Sequence, residues 1–175
     1  ELPPLETLRT RLGGVHGVLY LLFNEGYLSA HGEHAIRREL CDEAVRLTTL
    51  LAEHRVGEVP ETFALLALMH LHAARLGSRV DATGGLLLLE EQDRSRWDRT
   101  RIAEAETLIE RALQSRRFGA YTLQAAIAAV HTSAATTQDT DWRQIVALYD
   151  VLIRADPSPV VRLNRAAAIA MAEGP

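Results

Sequence analysis

Several features that would mark a membrane, nucleic-acid-binding or disulfide-rich protein are missing from the sequence. Its single cysteine, Cys41, cannot form an internal disulfide, and all 19 basic side chains are arginine. Acidic side chains number 23 and the formal net charge is −4, which argues against binding nucleic acid through overall charge. No apolar run reaches the roughly 20 residues of a membrane span. We therefore expect a cytoplasmic chain without direct membrane or nucleic-acid contact.

Recognisable catalytic and metal motifs are missing as well. The sequence has no glycine-rich phosphate loop, no nucleophile elbow and no paired-carboxylate motif. His70 and His72 are two residues apart and point to different sides of a helix, whereas a helical zinc pair needs four-residue spacing. Cys41 falls on a predicted buried helix face, which is typical of a structural thiol. We predict no enzyme activity, no metal and no cofactor.

The apolar content of 47% in 175 residues is sufficient for a packed core. Apolar residues recur every three or four positions from Leu5 to Leu22, which predicts a buried stripe, including Val15, on a first helix, Leu5–Phe23. Gly26 is expected to end this helix in the left-handed conformation. Three glycines inside it each cost up to about 1 kcal/mol relative to alanine, so we expect a closely packed neighbouring helix at Gly13, Gly14 and Gly17.

Six further helices follow from the same periodicity and from capping residues. Their approximate bounds are Glu33–His54 after a loop at 29–32, a helix starting at Pro60, Arg99–Arg116, Tyr121–His131, a helix capped by Asp141, and Val160–Ala172. The Pro60 helix is apolar on all sides from Phe63 to Met69, which predicts the centre of the domain, and Gly77 is expected to cap it. Residues 79–89 predict one small β-hairpin.

The last two helices resemble parts of a tetratricopeptide repeat. Ile145, Tyr149 and Pro157 fit the end of the repeat, and the small residues after Leu163 fit a reduced opening. We therefore predict an all-α fold of about seven helices, with helical hairpins stacked as a tetratricopeptide-like array. Residues 1–175 are expected to form a single domain that is a piece of a longer protein.

Polar and aromatic residues interrupt the helical pattern at two places, which makes them candidates for an interaction surface or a pocket. The candidates are Asn24, Glu25 and Tyr27 in the first segment, and Asp93, Arg94, Arg96, Trp97 and Asp98 in the second. A structural interpretation is favoured for the second segment, with caps and a packed tryptophan. The alternative is a rigid surface for a protein partner. We predict that the segments lie close together, with Arg94 or Arg96 paired to Glu25 or a neighbouring acid.

Seven sequence blocks, taken in order, resemble one known group of proteins. They are VLYLLFNEGY (18–27), ELCDEAVRL (39–47), LLALM (65–69), LLEEQDRSRWD (88–98), LQAAIAAVH (123–131), TDWRQIVALYD (140–150) and SPVVRLNRA (158–166). Together they are similar to the C-terminal tetratricopeptide-like extension of extracytoplasmic-function (ECF) RNA polymerase sigma factors. In that group, sigma regions two and four precede the extension, and neither is present in this sequence.

The resemblance implies a regulatory domain that modulates promoter-dependent transcription initiation by contacting the sigma regions of its own full-length chain or core polymerase. A helical small-molecule sensor with a polar inter-helix pocket is the alternative. A hydrolase on a helical scaffold would need a pocket with converging carboxylates of perturbed pKa. The apolar face of Val160–Ala172 also predicts packing against the preceding helix, or a homodimer through this C-terminal helix.

Overall fold

Nearly all of the regular structure is α-helical. The computed structural model describes residues 3–28 and 36–174. Across these residues the helices are α1 (Leu5–Arg9), α2 (Leu12–Tyr27), α3 (Arg38–Glu53), α4 (Pro60–Ala73), α5 (Arg99–Leu113), α6 (Ala120–Ser133), α7 (Trp142–Ala155) and α8 (Pro159–Glu173). The all-α prediction is confirmed, with α1 as a short additional element. None of these described helices is both long and apolar enough to cross a membrane.

The predicted first helix is broken between α1 and α2. The Arg11 amide donates to the Leu8 carbonyl at 3.1 Å, a three-residue spacing that tightens the chain at this point. The buried face of α2 also differs from the predicted stripe, because His16 is buried and Val15 is exposed. The His16 ring bonds to the Thr62 hydroxyl of α4 at 2.8 Å. This bond satisfies the buried imidazole and stabilises the observed register.

The glycines of α2 have roles other than those predicted. Gly26 lies inside the helix, without a positive φ, and α3 approaches it closely. A Cβ on Gly26 would lie 2.7 Å from both the Arg37 carbonyl oxygen and the Cys41 amide nitrogen. In contrast, no described atom lies within 4 Å of the position a Cβ would take at Gly13, Gly14 and Gly17. These three glycines face away from α3 and α4, so the close neighbour predicted for them is not part of the described fold.

α4 is the centre of the fold, as predicted. Pro60 occupies its first turn, where a backbone amide would have no helical partner. Every residue from Phe63 to Met69 is buried, because α4 contacts α2, α3, α5 and α6. A helix enclosed by neighbours has no face that must be polar.

Successive helices form antiparallel-type hairpin pairs in which α2 packs on α3, α4 on α5, α6 on α7, and α8 on α7. Asp141 caps α7 by accepting from the Gln144 amide at 2.9 Å, which confirms the predicted cap, and Ser158 caps α8. The arrangement is tetratricopeptide-like stacking. α8 keeps three large apolar side chains on its surface, since Val160 is 65%, Leu163 70% and Met171 46% exposed.

Several predicted helix bounds differ from the structure, including the end of the first predicted helix at Phe23, since α2 continues to Tyr27. α3 begins at Arg38, while the predicted start at Glu33 and the predicted loop at 29–32 lie outside the described residues. α5 ends at Leu113, three residues before the predicted end. Arg116 has a φ of 53°, a left-handed conformation that cannot continue a right-handed helix.

The connection between α4 and α5 contains single 3₁₀ turns at Leu76–Ser78, Leu89–Glu91 and Arg94–Arg96. Gly77 lies in the first of these turns and does not cap α4, which has already ended at Ala73. The predicted hairpin is present as a tight turn with one antiparallel bridge, between Val80 and Leu86, rather than as two strands. The Asp81 carboxylate accepts two backbone amides of this turn and closes it.

Candidate functional site

The two polar segments identified in the sequence both border the stretch from His72 to Arg79 at the end of α4. Tyr27, the last residue of α2, has its ring centre 5.1 Å from that of His72. The Arg79 guanidinium lies 3.6 Å from the centre of the Tyr27 ring and donates to the Tyr27 carbonyl. In the second segment, the Trp97 indole donates to the Ser78 hydroxyl at 2.9 Å. Each segment therefore contacts residues 72–79, but through different residues of that stretch.

Arg94 and Trp97 are part of the interior. Arg94 is 8% and Trp97 3% exposed. Arg94 Nη1 donates to the carbonyls of His131 at 2.6 Å and Ala134 at 2.8 Å, and its guanidinium lies 4.7 Å from the centre of the Trp97 ring. These carbonyls belong to the C-terminal end of α6. The last carbonyls of a helix have no amide donor within the helix, and the helix dipole stabilises a positive charge beside them. The structural interpretation therefore holds for both residues, and neither presents a surface to a partner.

The other three residues of the second segment remain at the surface. Asp93 accepts from the Ser95 amide at 3.0 Å and caps the 3₁₀ turn. Asp98 caps α5, as predicted, by accepting from the amides of the first helical turn. Arg96 is exposed. Asp93 and Asp98 thus shape the backbone that places Arg94 and Trp97.

Arg94, one of the two arginines predicted to pair with Glu25 or a neighbouring acid, has other partners. The donors of Arg94 are directed to the end of α6, which explains the difference. Asn24 and Glu25 are half-buried, and the Asn24 carbonyl accepts from the Leu28 amide at 2.9 Å at the end of α2.

Among residues 3–28 and 36–174, neither of the two large cavities is lined by residues of both segments. Asp93 and Arg94 line a cavity of about 640 Å³ together with residues 135–138. This cavity is lined by none of the candidates from the first segment, which are Asn24, Glu25 and Tyr27. The second segment therefore meets the loop after α6 rather than the end of α2.

A different cavity, of about 610 Å³, lies between α2, α4, α6, α7 and α8, and we call it the inter-helix cavity. Its polar lining includes His72 of α4, Arg75 just after the end of α4, and His131 of α6. Its aromatic lining consists of Tyr20, Trp142 and Tyr149. A cavity of several hundred cubic ångströms with a few polar groups is typical of small-molecule sites.

The cationic residue of the inter-helix cavity is Arg75. Its Nε donates to Gln92 Oε1 at 3.2 Å, and its guanidinium lies 5.6 Å from the centre of the Trp97 ring. Burial lowers the pKa of this guanidinium, and the nearby charge of Arg79 acts in the same direction, against an opposing effect of Tyr27. In the described part of the chain, Arg75 forms no ion pair with a carboxylate. Its charge is therefore available to the cavity.

The two histidines of the inter-helix cavity are held neutral. Burial lowers the pKa of His72 to about 3 and that of His131 to about 4, and the charge of Arg75 contributes to both shifts. The Nδ1 atoms of both rings are buried and have no hydrogen-bond partner among residues 3–28 and 36–174. A buried polar atom without a partner is unusual in native proteins, and both are in side chains that line one cavity.

Sequence reasoning missed the inter-helix cavity, because its lining comes from five helices that are far apart in the chain. His72 lies near the end of α4 and Arg75 lies three residues later, just beyond that end. This short spacing is the local signal that the sequence offered. His70, on another side of α4, has its Nδ1 3.4 Å from Glu104 Oε2. The two α4 histidines thus point to different sides, as predicted.

Cys41 has the properties of a structural thiol. It is fully buried, and its Sγ donates to the Phe23 carbonyl at 3.6 Å. Burial is the main reason that the pKa of the thiol rises to about 11, with the charge of Asp42 adding to the shift. The thiol is therefore protonated near pH 7 and is a poor nucleophile.

Comparison with known proteins shows the family. Residues 11–113 match a family of unknown function, DUF6596, and the chain belongs to this family. The whole chain is 46% identical over 175 residues to an uncharacterized protein of Rhizobium meliloti (strain 1021). The chain spans 41% of the length of that relative. No solved structure matches the chain.

Proposed function

We propose that this chain is the regulatory domain of an ECF RNA polymerase sigma factor, acting in the cytoplasm. In this proposal it modulates promoter-dependent transcription initiation by contacting the sigma regions of its own full-length chain, or core polymerase. The seven sequence blocks that resemble the sigma-factor extension support the proposal. The match to a relative more than twice as long as this chain is compatible with a domain that works beside others.

The observation that carries the proposal is an apolar face of α2 that no other described helix covers. Gly14, Val18 and Leu21 follow a spacing of four and three residues, so they share one side of the helix, and we call it the α2 outer face. Val18 is 67% and Leu21 68% exposed, while the opposite side of α2 packs on α3 and α4.

The glycines on and beside the α2 outer face lower the stability of the helix when nothing packs against them. Gly14 and Gly17 destabilise the helix interior by about 1 kcal/mol each relative to alanine, and no described atom comes close enough to require them. Small residues let a second helix approach the backbone closely, and the large side chains beside them then become buried. The α2 outer face therefore has the composition of a docking surface for a helix outside the described fold.

A protein partner fits the charge of the chain better than DNA does. The net charge of −4 opposes phosphate binding, and affinity for duplex DNA depends on clusters of basic side chains. The helical sigma regions offer apolar helix faces and are expected in the same chain. The domain is thus proposed to reach the promoter only indirectly.

The test uses the full-length protein in a transcription assay on its own promoter. The double substitution Val18→Asp with Leu21→Asp places two charges on the α2 outer face without disturbing the core. A matched control, Val160→Asp with Leu163→Asp, charges two side chains of similar exposure on α8. We expect the α2 variant to change transcript yield severalfold and the α8 variant to behave as the unmodified protein.

Unchanged yield from the α2 variant, or from a protein lacking the whole domain, would contradict the proposal. An effect confined to the α8 variant would instead indicate the predicted homodimer through the C-terminal helix, and the oligomeric state by light scattering would confirm it. Circular dichroism of both variants would establish that each is folded.

A further inference from the structure

We propose that the inter-helix cavity binds a small organic acid with an aromatic body, and that the Arg75 guanidinium holds its carboxylate. This inference concerns a different part of the domain from the α2 outer face and does not depend on the transcription proposal. It rests on the charge, the unsatisfied polar atoms and the aromatic lining of the cavity.

The preference for an anion follows from the charges around the cavity. Arg75 belongs to the lining, Arg94 donates to the His131 carbonyl, and Arg79 lies over the Tyr27 ring, which contacts His72. Asp156 is a carboxylate of the lining, but it accepts from the Ser158 amide at 3.1 Å. A partly buried guanidinium without a carboxylate partner binds a carboxylate ligand in a planar, bidentate manner.

The neutral histidines complete the polar lining. A neutral imidazole offers one donor and one acceptor nitrogen, so His72 and His131 can bond to a carboxylate without adding a full charge. Their unpartnered Nδ1 atoms carry a desolvation cost that a polar ligand group would offset after small ring movements.

The aromatic body of the ligand follows from the remaining walls. The Trp142 ring stands edge-on to the His131 ring at 5.2 Å, and Tyr20 and Tyr149 line the same space. The Tyr20 hydroxyl is already bonded to Gln124 Oε1 at 3.3 Å, which leaves its ring as the contact surface. Aromatic walls favour a planar ring through stacked or edge-on contacts.

A small molecule fits this space better than an extended peptide. The volume of about 610 Å³ corresponds to a ligand of small-molecule size, whereas a peptide of several residues needs a longer open groove. The five surrounding helices also bring walls from both halves of the chain. The cavity is therefore proposed as a ligand site rather than as a peptide channel.

The test measures binding of 1-naphthaleneacetate to the 175-residue chain by titration calorimetry, with 1-naphthylmethylamine as a probe of the same ring and opposite charge. Two variants address the site. Arg75→Gln removes the proposed anchor, and Ala167→Trp fills the cavity from an exposed position of α8. Arg96→Gln, which removes an exposed arginine outside the lining, is the control.

We expect the acid to bind and the amine not to bind. Arg75→Gln should lower the affinity for the acid by about tenfold or more. Ala167→Trp should abolish binding of the acid, and Arg96→Gln should leave its affinity unchanged. Equal binding of acid and amine, equal loss in the control, or retention of binding by Ala167→Trp would overturn the proposal. Binding of an acidic decapeptide without binding of the naphthyl acid would also overturn the proposal, since that result would indicate a peptide site.

Discussion

The buried side chain of Arg94 should be one of the most stabilising in the α4–α5 connection. Its two bonds to the carbonyls of His131 and Ala134, at 2.6 and 2.8 Å, join this connection to the end of α6. Hydrogen bonds to a charged group contribute about 1.5–3 kcal/mol each, and the contact with the Trp97 ring adds about 0.5–1 kcal/mol. Water can reach part of the freed helix end, so the two bonds are not fully additive.

We therefore expect Arg94→Ala to lower the free energy of unfolding by about 3 kcal/mol. Arg96→Ala, two residues away and exposed, should change it by less than about 0.5 kcal/mol. Urea denaturation followed by circular dichroism measures both values. Arg94→Lys should be intermediate, because an ammonium group cannot reproduce the planar donor pair. Equal stability of the two alanine variants would refute the assignment of Arg94 as a cap of α6.

Three further predictions follow from individual contacts. Gly26→Ala should destabilise the fold by about 1–3 kcal/mol, because the added Cβ would meet the backbone at the start of α3. Gly17→Ala, in open space on the same helix, should instead stabilise the fold by up to about 1 kcal/mol. Thermal unfolding of the two variants tests both predictions. The pKa of His131 is about 4 in the folded chain and about 6.5 in the unfolded chain, so the unfolded chain is protonated first as the pH falls. The contribution of neutral His131 to the free energy of unfolding is therefore complete above pH 6.5 and falls by about 2 kcal/mol at pH 5. His131→Gln should therefore lose less stability than the unmodified chain between pH 7 and 5, and equal losses would contradict the lowered pKa. In a gel-shift assay at micromolar concentration, the chain alone should not retard promoter DNA, and retardation that weakens with salt would show direct binding.

The fold could be predicted wherever the signal is local. The continuous apolar run of α4 predicts its central position, and Asp141 predicts the start of α7, because both depend on the chemistry of neighbouring residues. The repeat-like ending with Tyr149 and Pro157 similarly indicates the stacked hairpins. Each of these features depends on residues within about one helix length of each other, where the period of 3.6 residues predicts which positions are buried.

The candidate site could be predicted only in part. Arg94 and Trp97 were identified as a dense polar segment, but their burial depends on the end of α6, which lies about forty residues further along the chain. The partners of Gly26 likewise depend on how α3 crosses α2. Arg75 and His131 share a cavity only after the helices have stacked, so no local pattern marks them together.

The central claim is that the α2 outer face docks on another part of the full-length protein. The most direct test is to measure whether the environment of this face changes when the rest of that protein is added. Cys41 is buried with a raised pKa, so Val18→Cys creates one accessible thiol for a fluorescent label. Leu163→Cys provides the matched control on α8. We predict that adding the remainder of the full-length protein, which is proposed to contain the sigma regions, shifts the emission of the label at position 18 and leaves the label at position 163 unchanged. An unchanged label at position 18 when that remainder is saturating, or a shift only at position 163, would contradict the account.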